Sequence, residues 1–149
     1  VACAKNKWQL NIFVPTSLRV YADALLQQVN RLGIKDRVIV RDTVLSTTVL
    51  KQACAFVALP IASPRITESA VRAVKSFTPI ITTSDCGAIS EIVVNGTNGL
   101  VVKPTPTAIA QALDLIISDK KLEEELSQTN PRFLNMFSDV RSVTESLLG

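Results

Sequence analysis

The chain has 149 residues, of which 47% are hydrophobic and 19% charged, with a net charge of +3, three cysteines and no histidine. A hydrophobic fraction near one half with moderate charge indicates a packed globular domain and excludes a disordered or low-complexity segment. Because histidine is absent, Ser-His-Asp, Cys-His and HExxH chemistry are excluded within these residues. Any catalysis here falls to carboxylates, lysines, hydroxyls or a bound cofactor.

In chain order, short apolar runs alternate with longer segments of helical periodicity. The pattern predicts strands at Trp8–Val14, Arg37–Val40, Ala55–Leu59, Pro79–Thr83 and Leu100–Val102. It predicts helices at Leu18–Leu32, Ser46–Cys54, Pro64–Phe77, Pro106–Ile117 and Asp119–Ser127, and a helical segment after Pro131. Because strands and helices alternate, we predict an α/β fold, with a parallel sheet of about five to six strands and helices on both faces.

Capping signals mark the starts of three predicted helices. Ser46 is positioned as an N-cap, and the pairs Ser63-Pro64 and Thr105-Pro106 place a hydroxyl before a proline at the first helical position. Gly33 follows the first predicted helix and is expected to end it.

The third predicted strand, Ala55–Leu59, is apolar at every position. Strands that are covered by helices on both faces of a parallel sheet carry such continuous apolar runs. We therefore expect this strand to lie in the centre of the sheet. In such sheets ligands bind outside the carboxyl ends of the strands, which are followed by Pro15–Ser17, Arg41–Leu45, Pro60–Thr67 and Ser84–Ser90.

The cysteines indicate a reducing compartment. Cys3, Cys54 and Cys86 are odd in number and far apart, unlike a secreted disulfide framework. Cys54, in an apolar run, is predicted to be a small buried hydrophobe. That run, to Ala62, is only about half as long as the roughly 20 residues of a membrane helix. We therefore predict a cytoplasmic protein without a transmembrane segment.

The basic residues do not predict a nucleic-acid partner. They are scattered along the chain, and aromatic residues make up only 5% of it. Nucleic-acid binding domains usually gather basic residues on one stripe with aromatics between them.

The segment Pro79–Pro104, PIITTSDCGAISEIVVNGTNGLVVKP, resembles a segment of the retaining glycosyltransferases of family 4. That segment belongs to the C-terminal, Rossmann-like half of the GT-B fold. Similar matches occur upstream at Leu32–Val38 and downstream at Pro106–Asp119 and Met136–Ser138, so the resemblance runs from about Trp8 to the C-terminus. It implies a single Rossmann-like domain over residues 1–149, part of a larger two-domain protein.

The resemblance implies a function in sugar transfer. In this family a sugar passes from a nucleotide-sugar donor to an acceptor, with the donor bound by the C-terminal half. The implied partners are an N-terminal Rossmann domain and the nucleotide-sugar itself. The donor is a substrate, so no cofactor and no metal is expected, and a membrane surface could be reached only through the full-length protein.

The family's donor motif has two glutamates eight positions apart, in the loop and helix before the matched strand. Counting back from Pro79 without gaps, these positions fall on Pro64 and Arg72, and neither is a carboxylate. The motif is therefore degenerate here. Glu68 lies nearby, but its spacing predicts an i,i+4 ion pair with Arg72.

Candidate site residues follow from the same matched positions. The resemblance places donor binding at Arg65, Ile66, Thr67 and Arg72, where helix N-terminal amides would meet a diphosphate. It adds the loop at the end of the fourth strand, at Asp85, Cys86 and Gly87. No catalytic residue is assigned. The family's domain normally opens with an additional strand and helix whose basic residues face the donor phosphates, and that piece has no counterpart in this sequence.

Three hypotheses remain open from the sequence. The chain is the donor-side half of a glycosyltransferase, a degenerate GT-B domain that binds or scaffolds, or a flavodoxin-like or response-regulator-like module. Loss of both motif glutamates favours the second, while the preserved SEIVVNGTNGLVV segment fits the first two. The third lacks the acidic and phosphate-binding signatures of those modules, and enzymatic activity is left open.

Overall fold

The computed structural model describes residues 7–14, 19–41, 45–59 and 64–128, and within these the side chains of Arg19, Pro64 and Arg65 are not described. The strands are β1 (Leu10–Phe13), β2 (Val38–Arg41), β3 (Phe56–Ala58), β4 (Ile80–Thr83) and β5 (Gly99–Val102). The α-helices are α1 (Arg19–Arg31), α2 (Thr47–Gln52), α3 (Pro64–Lys75), α4 (Ala88–Ile92), α5 (Pro106–Ser118) and α6 (Lys120–Leu126).

The predicted alternation of strands and helices is confirmed, with ends shifted by a few residues. The predicted helical segment after Pro131 lies outside the described residues. All strand pairs are parallel: β1 pairs with β2, and β4 lies between β3 and β5. The five described strands therefore form two hydrogen-bonded groups, of two and three strands, rather than one continuous sheet.

Helices cover both faces of the three-stranded sheet, as predicted. The first cluster packs α2, α3 and α4 on one face, and the second cluster packs α5 and α6 on the other. Ile80 and Ile81, adjacent on β4, belong to opposite clusters because successive strand side chains alternate between faces. The first cluster contains Leu45, Leu50, Ala58, Ala70, Ala73, Val74, Ile80, Cys86, Ile89, Ile92 and Val93. The second contains Ile81, Ala112, Ile116 and Leu126.

The predicted caps are found wherever the structure describes them. Ser46 Oγ accepts from the N–H of Val49 at 3.3 Å, and Thr105 Oγ1 accepts from that of Ala108 at 3.2 Å. Gly33, with φ +66°, follows the end of α1. Ser63 lies outside the described residues, but α3 begins at Pro64 as expected.

Helix α4 is a short helix that the sequence analysis did not predict. It has only five residues, so its apolar periodicity is too brief to stand out. Ile89 and Ile92 are its buried residues, and both join the first cluster. The sequence signal that could have revealed this helix is a pair of isoleucines three positions apart that begins two residues after Gly87.

The prediction that the third helix extends to Phe77 on its apolar side is wrong. The helix ends at Lys75, and Phe77 is 56% exposed with φ +57°. Its N–H donates to Val74 O, while the N–H of Thr78 donates to Ala73 O, both at 3.0 Å. This is a Schellman-type helix end, in which glycine is usual because it tolerates left-handed backbone.

We therefore expect Phe77→Gly to be more stable than Phe77→Ala by about 1 kcal/mol, because alanine keeps the left-handed strain that glycine relieves. Both variants lack the ring, so the comparison isolates the backbone. Urea unfolding followed by circular dichroism measures the difference. Equal midpoints, or a more stable alanine variant, would contradict left-handed strain at this position.

Cys54 is half-buried rather than fully buried, and it packs against the second cluster. Burial raises the pKa of its thiol, and the nearby carboxylate of Glu123 raises the pKa further. The folded chain therefore holds the thiol proton more tightly than the unfolded chain does. The contribution of this protonated thiol to folding stability is complete below the pKa of the unfolded chain, and it is lost as the pH rises from there through the higher pKa of the folded chain.

The raised pKa predicts slow alkylation of Cys54, since the thiolate is the nucleophile. We expect the rate of iodoacetamide labelling at Cys54 to reach half its maximum at a higher pH in the folded chain than in the same chain unfolded in urea. Peptide mass spectrometry between pH 7 and 10 measures both profiles. Coincident profiles would show that the fold does not protect this thiol.

Candidate functional site

The candidate site lies at the carboxyl edge of the three-stranded sheet. There β3 ends at Ala58, β4 at Thr83 and β5 at Val102. Of the segments expected at this edge, 84–90 is fully described, while 60–67 is described from Pro64 onward. The segment 15–17 lies outside the described residues, and of 41–45 only the two end residues are described.

The first turn of α3 supplies backbone donors at this edge. The helix begins at Pro64 and has 12 residues, so the N–H groups of its first turn have no partner within the helix. The aligned peptide dipoles place partial positive charge at this end. Ile66 is partly buried against the first cluster and Thr67 is half-buried, whereas for Arg65 only the backbone position in this turn is described.

The loop after β4 is fixed by its own hydrogen bonds. The N–H of Cys86 donates to Thr83 O at 3.0 Å, which closes the turn at the strand end. Gly87 then takes φ +54° and ψ −125°, a conformation open essentially to glycine alone. Ser90 Oγ donates to Gly87 O at 2.6 Å and ties the glycine to α4. Asp85 is left exposed at the tip of this loop.

Cys86 holds the loop against the neighbouring strand. It is buried, and its thiol lies 3.7 Å from the carbonyl oxygen of Ala58 at the end of β3, where it donates a weak hydrogen bond. Ile66 packs against the same cluster that contains Cys86 and Ala58. The end of β3, the first turn of α3 and the loop after β4 therefore meet at one place.

Arg72 lies apart from this group. It is eight residues along α3 from Pro64, a rise of roughly 12 Å along the helix axis. Its guanidinium donates to Glu68 Oε1 at 2.6 Å, which confirms the predicted i,i+4 pair. Both side chains are substantially exposed, so this pair adds only a few tenths of a kcal/mol to stability. Ile66, Thr67, Asp85, Cys86 and Gly87 are thus brought to one edge, and Arg72 is not.

Two hydroxyls at the end of β4 were not singled out by the sequence analysis. Thr82 and Thr83 are almost completely buried, and neither Oγ1 has a hydrogen-bond partner among the described residues. An unpaired buried hydroxyl costs free energy. A pair of threonines closing a fully buried strand is the sequence signal that could have drawn attention to them.

Lys103 is a further residue that sequence reasoning missed. It directly follows β5 and is exposed. The N–H of Ser84 donates to Val102 O at 2.9 Å, so the ends of β4 and β5 are in register and Lys103 lies beside the loop after β4. Its position could have been found by applying the carboxyl-edge rule to the fifth strand.

The described residues contain no group of three or more histidine, cysteine, aspartate or glutamate side chains placed to hold a metal ion. Among the helices that the structure describes, none is both long and apolar enough to span a membrane.

Parallel strands covered by helices on both faces, with loops gathered at the carboxyl edge, define an α/β domain of the Rossmann-like type. The family model of the glycosyl transferases group 1 matches residues 3–119. The chain therefore belongs to this family. No curated protein sequence matches it.

Solved structures agree on the fold, which is that of a GT-B glycosyltransferase domain. Anabaena HepE in complex with UDP and glucose is 17% identical, with a TM-score of 0.72 over 97% of this chain and 42% of HepE. Sucrose-phosphate synthase from Thermosynechococcus elongatus is 19% identical, with a TM-score of 0.70 over 93% of this chain and 39% of the synthase. The chain thus spans less than half the length of either protein.

A domain-sized relative matches over most of its own length. The C-terminal domain of the glycosyl transferase group 1 family protein LpcC from Francisella tularensis is 18% identical, with a TM-score of 0.67. The alignment covers 89% of this chain and 87% of that domain. The chain therefore resembles the C-terminal domain of its relatives, as the sequence resemblance implied.

Proposed function

We propose that this chain is the donor-binding half of a glycosyltransferase that moves a sugar from a nucleotide-sugar to an acceptor. The observation that carries the proposal is the meeting of the first turn of α3 with the loop after β4 at the carboxyl edge, in a chain of this family. HepE, whose fold is similar, was crystallised with UDP and glucose. The protein is proposed to be cytoplasmic.

The proposed donor site uses backbone groups rather than carboxylates. The N–H groups of the first turn of α3, which have no partner within the helix, and the dipole of this helix would stabilise the charge on the diphosphate. In the transfer, the bond between the sugar's anomeric carbon and the diphosphate oxygen breaks, and the diphosphate keeps the electron pair. The acceptor hydroxyl oxygen forms the new bond to the anomeric carbon, and its proton passes to the departing diphosphate.

The site requires a second domain to complete the cleft. We propose that residues 1–149 form one Rossmann-like domain of a two-domain protein, whose other Rossmann domain supplies the acceptor side. The length ratio to HepE and sucrose-phosphate synthase supports this arrangement. The nucleotide-sugar enters as substrate, and no cofactor or metal is assigned a role.

A degenerate GT-B domain that binds or scaffolds is the second candidate. The observation in its favour is that Pro64 and Arg72 stand where the family's two motif glutamates are expected. Since Arg72 is also paired with Glu68, its guanidinium is partly engaged before any donor arrives.

Isothermal titration with UDP- and GDP-sugars tests donor binding. We expect heat with at least one donor. We expect Lys103→Ala, which removes an exposed positive charge beside the loop after β4, to weaken binding by about tenfold, the effect of losing one charge-assisted hydrogen bond to phosphate. Arg72→Ala is the matched control, because it removes one positive charge from α3 at a position away from this edge.

Two outcomes contradict parts of the proposal. Equal weakening by Lys103→Ala and Arg72→Ala would show a general charge effect and would remove Lys103 from the site. No heat with any nucleotide or nucleotide-sugar, with the second domain present, would refute donor transfer and leave the scaffolding function.

A further inference from the structure

An apolar groove lies between β5 and α5, at the end of the three-stranded sheet. It has a volume of about 270 Å³. Its walls are Leu100–Val102 of β5 and four residues of α5, Ala108, Gln111, Ala112 and Leu115. None of the residues that line it is charged. The groove is separate from the candidate donor site, which is formed by α3 and the loop after β4.

The surface of α5 beside this groove is unlike that of the other long helices. Leu115 is 47% exposed at the rim of the groove, and Gln111, one turn earlier, is exposed as well. Helices α1 and α3 place charged residues at their exposed positions, such as Asp23 and Lys75, as surface helices usually do. Asp114, the one charged residue of α5, does not line the groove. An uncharged apolar groove of this kind indicates a contact surface.

The edge of β5 is closed to an added strand. The outward C=O of Gly99 accepts from the N–H of Gly96, and the outward N–H of Val101 donates to Asn95 Oδ1, both at 2.8 Å. Occupying the peptide groups of an edge strand in this way prevents further pairing. The groove is therefore suited to side chains from a helix rather than to the backbone of a strand.

The four groove residues of α5 form a face that is complementary to itself. Ala108, Gln111, Ala112 and Leu115 follow the i, i+3, i+4, i+7 spacing that places side chains on one side of a helix. A small residue stands at one end of this face and a large one at the other. When two copies run antiparallel, Leu115 of one lies against Ala108 of the other, and Gln111 lies against Ala112. Each of these pairs then occurs twice, as a twofold-symmetric contact requires.

We propose that a second copy of this chain docks at the groove, with the two α5 helices antiparallel about a twofold axis near Gln111. Leu115 of each copy enters the groove of the other, beside Ala108 and Val102. Residues near a twofold axis lie close to their own copies, so a charge there would be repelled by the same charge. The uncharged lining is free of this repulsion and favours a second copy over a charged partner.

This arrangement leaves both candidate donor sites open. Helix α5 begins after the carboxyl end of β5, so antiparallel α5 helices direct the two carboxyl edges in opposite directions. The inference does not rest on the proposed donor transfer. Because the contact covers only about two turns of helix, its area is small, and we expect a dissociation constant on the order of 100 μM. At low micromolar concentration the chain is therefore monomeric.

Sedimentation equilibrium of the 149-residue chain, from about 10 μM to about 1 mM, measures this association. Leu115→Glu places a negative charge in both halves of the contact and is expected to weaken dimerisation by at least about tenfold. Leu26→Glu is the matched control, because it makes the same change at a leucine of α1 that is 40% exposed and does not line the groove. Thermal unfolding by circular dichroism checks that both variants fold.

Intermolecular NOEs in a mixture of isotope-labelled and unlabelled chains test the geometry without any substitution. We expect NOEs between the Leu115 methyl groups of one copy and the Ala108 methyl group of the other. A chain that stays monomeric at the highest concentration would overturn the proposal, and so would equal weakening by Leu115→Glu and Leu26→Glu. NOEs from Leu115 to residues 129–149 of the same chain would show that this segment covers the groove and would also overturn it.

Discussion

Replacing Gly99 by alanine is expected to destabilise the chain by about 3 kcal/mol, among the largest effects of any single substitution in it. A Cβ on this glycine would overlap the carbonyl oxygen of Ile80 and lie 2.9 Å from Val93 Cγ1. Neither neighbour can move away easily, since the Ile80 oxygen belongs to the backbone of a fully buried strand and the side chain of Val93 is buried as well. Strands β4 and β5 would have to separate, and the loop that follows β4 would shift with them.

Gly96→Ala is the matched control, because it adds the same methyl group with nothing within 4 Å. Its positive φ of 76° limits the expected loss to about 1–2 kcal/mol of backbone strain. Urea unfolding of both variants gives the comparison. A loss at Gly99 no larger than at Gly96 would contradict the close approach of the two strands.

Ile116→Ala is expected to cost about 2–5 kcal/mol, since it removes a fully buried side chain from the second cluster and leaves a cavity. Leu115, the preceding residue on α5, is 47% exposed. Leu115→Ala should therefore change the free energy of unfolding by no more than about 0.5 kcal/mol. Thermal and urea unfolding measure both, and similar losses at the two positions would mean that α5 does not face the sheet as described.

Periodicity and capping made most of the fold predictable from the sequence. Helices α1, α3 and α5 have 12 or 13 residues, long enough for an apolar face to recur several times. Their starts and stops follow local chemistry, as at Thr105-Pro106 and Gly33, and local chemistry can be read without tertiary information.

The failures have tertiary causes. Helix α4 spans little more than one turn and is held by burial of Ile89 and Ile92 rather than by its own periodicity. Phe77 continues the apolar spacing of α3, but the chain turns there to enter β4. The apolar run at β3 predicted a central strand, but β3 lies at the end of its three-stranded group and β4 is central. Which strands pair depends on contacts distant in sequence.

The candidate site was predictable only in part. The carboxyl-edge rule located the loop at Asp85–Gly87 and the first turn of α3, because both directly flank recognisable strands. It could not show that the thiol of Cys86 reaches Ala58, since this contact joins residues 28 positions apart. Nor could residue types alone show that Arg72 lies away from the edge, which follows from the geometry of the helix.

The most direct test of the central claim is an NMR titration of the ¹⁵N-labelled chain with UDP. If a nucleoside diphosphate binds at the carboxyl edge, the largest amide shifts will fall at Ile66, Thr67, Asp85, Cys86 and Gly87. Shifts concentrated at the opposite edge, around Phe77 and Asn98, or no shifts at millimolar UDP, would contradict the assignment of this edge as the donor site.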